Sequence, residues 1–167
     1  MTPTEQYVDV LTHLKSGDLG LLREHAGQGL DQSVDAFDLF AGLWWPLRER
    51  NQRAPRRAVA WLIAKLYAFR PIEHSPGQTL AWQLGRYRND NDPEKDPVAE
   101  RFDRMLTLPV DILEPALQWS LNLIASKNPK LDWVTLTNDL SIWERETTRL
   151  KWAEEFLKSS KEDRHVN

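Results

Sequence analysis

The chain has 167 residues, enough for one globular unit or two small packed lobes, and its hydrophobic fraction of 41% can supply a core. Cysteine is absent, which excludes disulfides and thiolate–metal sites and is compatible with a reducing compartment. The net charge of −3 is segregated: residues 48–88 carry nine basic and two acidic side chains between two acidic flanks, which indicates a local anion-binding surface rather than a uniformly basic binder.

The first half of the chain shows four helical patterns separated by glycine and proline. Apolar residues at helical spacing predict helices over residues 7–14, 19–25 and 58–69, and a third helix in chain order that opens at Asp35 or Ser33 and runs to Trp44. Asp18 is expected to cap the second helix, and Pro46 is expected to disturb the end of the third. The fourth helix is apolar on most sides and is therefore expected to be central, with Lys65 on its exposed edge.

The most basic window, RERNQRAPRR at residues 48–57, immediately precedes the fourth helix. Pro55 suits the first turn of that helix, which would place Arg56 and Arg57 near its N-terminus. The helix macrodipole disfavours cations at that end by roughly 0.3–1 kcal/mol each, so an anion bound there would explain the arrangement. A solvated loop whose charges aid solubility explains it equally well, and the sequence leaves both interpretations open.

The second half of the chain has helical patterns on both sides of a polar stretch. Helices are predicted over residues 79–87, 98–106 and 112–124, with Tyr87 facing inward and Pro115 in the first turn of the last one. The polar linker NDNDPEKDP, residues 89–97, contains the predicted boundary between an N-terminal helical lobe, residues 1–95, and a C-terminal helical lobe, residues 96–167.

Residues 131–157 predict a helical hairpin around which the rest of the chain packs. Asp132 can act as an N-cap, because its carboxylate can accept hydrogen bonds from the free amides of the following turn. The first helix has an apolar stripe of Trp133, Leu136, Leu140 and Trp143. The second helix is expected to open at Thr147 or Thr148 and to bury Ala153, Phe156 and Leu157.

These patterns together predict an all-α protein of two packed helical bundles, with about eight or nine helices, because no segment shows sustained strand alternation. Most of the eight tryptophans are expected to pack in the core and between the lobes. The longest apolar run, residues 58–69, is too short for a bilayer, which needs about 20 residues. The N-terminus carries acids where a secretory signal would be basic, so we expect a cytoplasmic protein without a membrane partner.

No motif in the sequence indicates an enzyme. The four histidines are widely separated, and none belongs to an HExxH motif. The acids of the 89–97 linker imitate the start of a calcium loop, but Lys95 stands where that loop needs glycine and Arg101 where it needs glutamate. Phosphate-binding loops and nucleophile elbows are also missing. We therefore expect no catalytic residues, no metal, no cofactor and no small-molecule substrate.

Several short segments, in a fixed order over most of the chain, resemble one known family. They are Gly17-Asp18 with Leu21-Leu22-Arg23, then Ala99-Glu100-Arg101-Phe102 with Arg104-Met105-Leu106, then Leu131-Asp132-Trp133, Asp139-Leu140 and Trp143, and finally Arg149, Trp152-Ala153 and Phe156. In this order and spacing the chain resembles the CasB family, the small subunit of type I-E CRISPR Cascade complexes. One departure is Glu24, which stands where the family often has a second basic residue, so a phosphate contact there would depend on Arg23 alone.

The resemblance implies a non-catalytic all-α subunit that binds the nucleic-acid backbone without reading sequence and stabilises the R-loop in antiviral defence. Its implied partners are other Cascade subunits, a second copy of itself, the guide RNA, and the target and displaced DNA strands. The candidate backbone-binding residues are nine arginines: Arg23, Arg53, Arg56, Arg57, Arg86, Arg101, Arg104, Arg145 and Arg149. Arginine suits this role because its planar fork of donors matches phosphate geometry. The alternative is a helical protein–protein scaffold without direct nucleic-acid contact.

Overall fold

The computed structural model describes residues 1–29, 34–89, 91–126 and 129–159, and within these ranges the protein is almost entirely helical. Nine α-helices are described, which confirms the predicted all-α class: α1 Pro3–Thr12, α2 Ser16–Arg23, α3 Val34–Arg50, α4 Arg57–Phe69, α5 Leu80–Gly85, α6 Pro97–Thr107, α7 Glu114–Ile124, α8 Trp133–Ser141 and α9 Glu146–Lys158. A short 3₁₀ turn, Val110–Ile112, precedes α7, and two strands of two residues each, β1 Glu73–His74 and β2 Lys130–Leu131, pair in parallel.

Helix α4 is the centre of the core, as its continuous apolar pattern predicted. Its residues from Val59 to Ala68 are all buried, and it packs against α2, α3, α7 and α8. The Tyr7 hydroxyl of α1 donates a hydrogen bond of 2.6 Å to the Ala60 carbonyl of α4, and burial raises the pKa of Tyr7, so this phenol stays protonated.

The prediction that Lys65 lies on the exposed edge of α4 is wrong, because only 4% of this residue is exposed. Its ammonium group is instead neutralised inside the protein by the Glu114 carboxylate of α7, 2.5 Å away. It also donates to the Gln28 carbonyl at 2.8 Å, which attaches the segment after α2 to the centre of the fold. A buried lysine is tolerated when it is paired and hydrogen-bonded in this way.

The predicted hairpin of α8 and α9 forms, but α9 begins at Glu146, with Arg145 as its N-cap, and not at Thr147 or Thr148. Asp132 is confirmed as the N-cap of α8. Its carboxylate accepts from the Thr135 amide at 2.9 Å and also from the Gly77 amide, which lies just after β1. The β1–β2 pair sits directly before this cap, and the Trp133 indole donates to the Ile72 carbonyl at 2.8 Å. These contacts fasten the hairpin to the segment that follows α4.

Helix α9 packs closely against α5 and α6. Gly85 at the end of α5 touches the backbone of Phe156, and the Phe156 ring stacks on Phe102 of α6 with centroids 4.1 Å apart. The expected burial of Phe156 is therefore confirmed, whereas Leu157 is 65% exposed and its predicted burial is wrong. Tyr87 also lies further out than predicted, with 36% of its surface exposed.

Several predicted helix boundaries are corrected by the structure. Helix α2 begins at Ser16, so Asp18 lies in its first turn and is not the cap. Pro46 lies inside α3, which continues to Arg50. Pro55 precedes Arg56, the N-cap of α4, and does not enter its first turn. The proposed division into lobes 1–95 and 96–167 stays a prediction, and the buried apolar residues form one continuous cluster.

Within the described ranges, no helix is long and apolar enough to cross a membrane.

Five of the eight tryptophans are buried in the core, as their packing role predicted: Trp44, Trp61, Trp133, Trp143 and Trp152.

Candidate nucleic-acid interface

The N-terminus of α4 gathers the densest group of predicted arginines. Arg56 is the N-cap and Arg57 is the first helical residue, and both side chains are exposed. The first turn of α4 has no acidic residue, and among the described residues no side chain caps its free amides. Two cations and a set of unpaired N–H donors therefore share one helix end, where negative charge is favoured.

The loop before α4 is held by hydrogen bonds from α3. The Trp44 indole donates to the Pro55 carbonyl at 2.6 Å, and the Arg48 guanidinium donates to the carbonyls of Gln52 and Ala54. Arg48 is thus engaged with the protein's own backbone, whereas Arg53 on the same loop is exposed. These hydrogen bonds give the loop a defined path, and anion binding by its exposed arginines stays a prediction.

The turn between α8 and α9 lies beside this helix end. Glu144 in the turn approaches Arg56 at 3.8 Å, with the two side chains 64% and 49% exposed. An ion pair so open to water contributes at most about 1 kcal/mol. Arg145, the next residue, is exposed at the N-cap of α9. We call Arg53, Arg56, Arg57 and Arg145 the α4-end cluster.

Arg149 lies one turn further along α9 and faces α6. Its Nη1 is 3.4 Å from the Leu106 carbonyl, and its buried Nε has no hydrogen-bond partner among the described residues. This guanidinium is therefore only partly satisfied by its own protein.

The remaining four predicted arginines lie elsewhere. Arg23 donates through Nε to the Ala68 carbonyl at 2.9 Å, near the opposite end of α4, which is about 17 Å from Arg57 at the helical rise. Arg86 stacks on Trp82 with 5.2 Å between guanidinium and ring, and Arg101 stacks on Trp119 at the same distance. Arg104 pairs with Glu100 on α6 at 2.6 Å.

A groove on α3, beside the α4-end cluster, was not predicted from the sequence. Four of its six lining residues are aromatic, and its volume is about 400 Å³; the lining consists of Phe37, Phe40, Ala41, Trp44, Trp45 and Arg57. We call this the α3 groove. The signal was present in the spacing, because residues 37, 41 and 45 recur every four positions and share one helix face.

A second cavity of about 450 Å³ lies next to the Gly27–Gly29 segment, with the Lys65–Glu114 pair among its lining. In the part of the chain that the structure describes, no group of three or more histidine or acidic side chains could hold a metal ion.

The comparisons with known proteins agree with one another. The family model for CRISPR-associated protein Cse2 matches residues 18–157 of this chain. No curated protein sequence matches it. Among solved structures, CasB of M. ruber has a TM-score of 0.74 at 19% identity, with 99% of this chain and 98% of that chain covered.

Two further CasB structures are similar. The protein from Thermus thermophilus has a TM-score of 0.68 at 22% identity, covering 93% of this chain and 98% of that one. The protein from Thermobifida fusca has a TM-score of 0.69 at 16% identity, covering 93% and 95%. At these identities the structures show a shared fold, and the family match over most of the chain shows the relationship. The chain belongs to the CRISPR-associated protein Cse2 family, also called CasB, whose members are subunits of CRISPR Cascade complexes.

Proposed function

We propose that this chain is the non-catalytic small subunit of a type I-E Cascade complex and that it binds nucleic-acid backbone without sequence specificity. In this role it stabilises the R-loop formed by guide RNA and target DNA, in the cytoplasm, as part of antiviral defence. Its partners are other Cascade subunits, a second copy of itself, the guide RNA, and the target and displaced DNA strands.

The observation that carries the proposal is the end of α4, where Arg56 and Arg57 stand at the cap and first position with no acid in the first turn. Each cation there is destabilising by roughly 0.3–1 kcal/mol in the absence of an anion. A phosphate would accept hydrogen bonds from both guanidinium groups and from the free amides. Its negative charge would make the electrostatic interaction at this helix end favourable. Arg53, three positions before Arg56, and Arg145, the neighbour of the Glu144 that approaches Arg56, are exposed as well.

Modest contacts of this kind are sufficient for the proposed task. R-loop formation exchanges one duplex for another of similar stability, so a few backbone contacts can shift the equilibrium. Such contacts position the strand but carry no sequence information. The separate arginines, Arg23, Arg86, Arg101, Arg104 and Arg149, are proposed to contact backbone at other points along the subunit.

The proposal predicts a change in salt dependence when the α4-end cluster is altered. The purified chain is titrated onto fluorescein-labelled single- and double-stranded DNA at several salt concentrations, and binding is followed by anisotropy. For Arg56→Gln combined with Arg57→Gln, we expect the magnitude of the negative slope of log K against log salt to decrease by about 1.4 on single strands and by about 1.8 on duplex. These values assume that each arginine contacts one phosphate.

The matched control is Lys95→Gln combined with Lys158→Gln, which removes the same charge from exposed positions outside the nine candidates. If the control flattens the slope as much as the arginine variant, general charge and not this site accounts for binding. If the arginine variant leaves the slope unchanged, the phosphate role of the α4 end is wrong.

The second candidate function is a protein–protein scaffold, and the exposed face of α9 favours it. Leu150 and Leu157 are seven positions apart and are 54% and 65% exposed. Residues at that spacing share one helix face, and exposed apolar residues on one face fit a protein partner. Loss of complex assembly in Leu150→Ser with Leu157→Ser, with DNA binding by the free chain unchanged, would support this additional role.

A further inference from the structure

We propose that the α3 groove is a stacking site for one unpaired base of a single strand whose phosphates lie on the adjacent arginines. This inference depends on the proposed nucleic-acid function and specifies the form of nucleic acid that the site takes. A paired base in a continuous duplex has both faces covered by its neighbours, so only an unpaired strand can supply such a base.

The groove is aromatic, partly open and fixed in shape. Phe37 and Trp45 are 44% and 55% exposed on the same face of α3, with the small Ala41 between them. The four-residue spacing places successive side chains about 6 Å apart along the axis, which leaves a gap above Ala41 between two rings. The two exposed rings on one helix face form an apolar patch, and an apolar patch rimmed by polar residues is typical of a binding site.

The floor of the groove is preorganised by contacts within the protein. The Phe40 and Trp44 rings lie nearly parallel, at 10° with centroids 5.6 Å apart, and Trp61 meets Phe40 edge-on. The Trp44 indole is fixed by its hydrogen bond to the Pro55 carbonyl, and Trp45 contacts Trp44 edge-on at 5.9 Å. A base entering the groove would therefore meet rings that are already in place, at little entropic cost.

Charge at the groove favours a nucleotide over an apolar protein segment. Arg57 lines the groove and makes no ion pair in the described part of the chain. Residues 37–57 carry five arginines against two acids, Asp38 and Glu49, so the surroundings are net positive. Aromatic rings beside a basic track are the arrangement by which proteins bind single strands without reading sequence. A volume of about 400 Å³ is within the usual range for a small-ligand site.

The test compares two single strands of about 20 nucleotides, one of thymidines and one of abasic residues with the same phosphates. Wild-type protein should bind the thymidine strand more tightly. Trp45→Ala should reduce that preference by about 5- to 100-fold, the effect of losing one stacked base. The salt slope on both strands should stay unchanged, because no phosphate contact is removed.

Four further variants test whether the preference comes from stacking. Trp45→Phe should recover most of the preference, whereas Trp45→Leu, which is apolar but not planar, should not. Arg57→Gln should weaken both strands equally and preserve the preference. Ile112→Ala, in the 3₁₀ turn before α7, removes an apolar side chain that is 53% exposed, close to the 55% of Trp45, and should change nothing. Because Trp45 is exposed, these changes leave the core intact.

The outcomes separate this inference from the function on which it depends. If wild-type protein binds both strands equally and with the expected salt slope, the phosphate function holds and the stacking site is wrong. If it binds neither strand, both proposals are wrong. If Trp45→Ala keeps the preference but prevents assembly of the CRISPR complex, the groove seats a protein subunit and the stacking proposal is overturned.

Discussion

The Lys65 ammonium group lies 2.5 Å from the Glu114 carboxylate, and the two side chains are only 5% and 12% exposed. Glu114 also accepts from the Gly27 amide at 2.7 Å, while Lys65 donates to the Gln28 carbonyl. One buried ion pair thus joins α4, α7 and the segment after α2. Its members depend on each other, because either charge alone would be buried without a counter-ion.

Replacement of Lys65 by methionine should therefore be strongly destabilising. We expect Lys65→Met to lower the free energy of unfolding by about 3–5 kcal/mol, because Glu114 would remain charged and unpaired. The double variant Lys65→Met with Glu114→Gln should lose less than the single variant, since the buried charge is removed. Urea denaturation measures both values. A double variant at least as unstable as the single one would contradict a mutual dependence.

The N-cap of α8 should make stability depend on pH in acid. Burial opposes ionisation of Asp132, but hydrogen bonds from the Thr135 and Gly77 amides outweigh it and lower the pKa below its ordinary value of 3.8. Because folding lowers the pKa, the ionised Asp132 carboxylate stabilises the protein above pH 3.8. This stabilisation is lost as the pH falls through the pKa of Asp132 in the folded protein.

We expect Asp132→Ala to lower the free energy of unfolding by about 2–3 kcal/mol at neutral pH, from the lost cap and the unsatisfied Gly77 amide. Asp132→Asn should cost less, because an amide oxygen still caps the helix. Urea denaturation of wild type and Asp132→Asn should give a constant difference between neutral pH and about pH 5, and a shrinking one below pH 4. A stability difference that grows as the pH falls below about 4 would mean that folding raises the pKa of Asp132, and it would contradict this prediction.

Gly85 should not tolerate a side chain. A Cβ at this position would overlap the Phe156 carbonyl and lie 2.8 Å from Ser159 Oγ. Gly85→Ala should therefore force α5 away from α9 and destabilise the protein by about 1–3 kcal/mol or more. The control is Gly20→Ala in α2, where a Cβ would meet no atom within 4 Å and should stabilise by about 0.5–1 kcal/mol. Thermal unfolding distinguishes the two directions.

Asp139 should contribute much more to stability than its lysine partner. Its buried carboxylate accepts from the Trp152 indole at 2.8 Å and from Lys151 at 2.8 Å, which connects α8 to α9. Asp139→Ala leaves the buried indole N–H unsatisfied and should lower the free energy of unfolding by about 1–3 kcal/mol. Lys151→Gln should cost less than Asp139→Ala, because the lysine side chain is 44% exposed and Asp139 keeps its hydrogen bond from the Trp152 indole. If urea denaturation shows that Asp139→Ala and Lys151→Gln lower the free energy of unfolding equally, the predicted ranking is wrong.

Local sequence signals predicted the features that depend on neighbours along the chain. The Asp132 cap, the central position of α4 and the burial of Phe156 each follow from a residue type and its spacing. The position of Lys65 could not be obtained in this way, because its partner is 49 positions away and only tertiary packing brings the two together. The β1–β2 pair was invisible for a related reason, since two residues cannot show alternation.

The candidate site was predictable only in part. The adjacent positions of Arg56 and Arg57 at a helix start follow from the sequence, but the 3.8 Å contact of Arg56 with Glu144, the neighbour of Arg145, depends on where the α8–α9 turn lies. Arg23 was grouped with them by chemistry, and the fold places it at the other end of α4. The α3 groove was missed because the third helix was predicted to end at residue 44, before Trp45, and because helical spacing alone does not distinguish a buried face from an exposed one.

The contact between Trp133 and His74 has a consequence for the order of folding. The Trp133 amide donates to the His74 imidazole at 3.1 Å across 59 positions of chain. Parallel strands cannot be joined by a tight turn, so this junction forms only after a long loop has closed. During synthesis, the segment that contains His74 is made before α8, so it can be in place when α8 emerges. In a chain that refolds from denaturant, the two segments must meet by diffusion. We therefore expect this junction to form late in refolding.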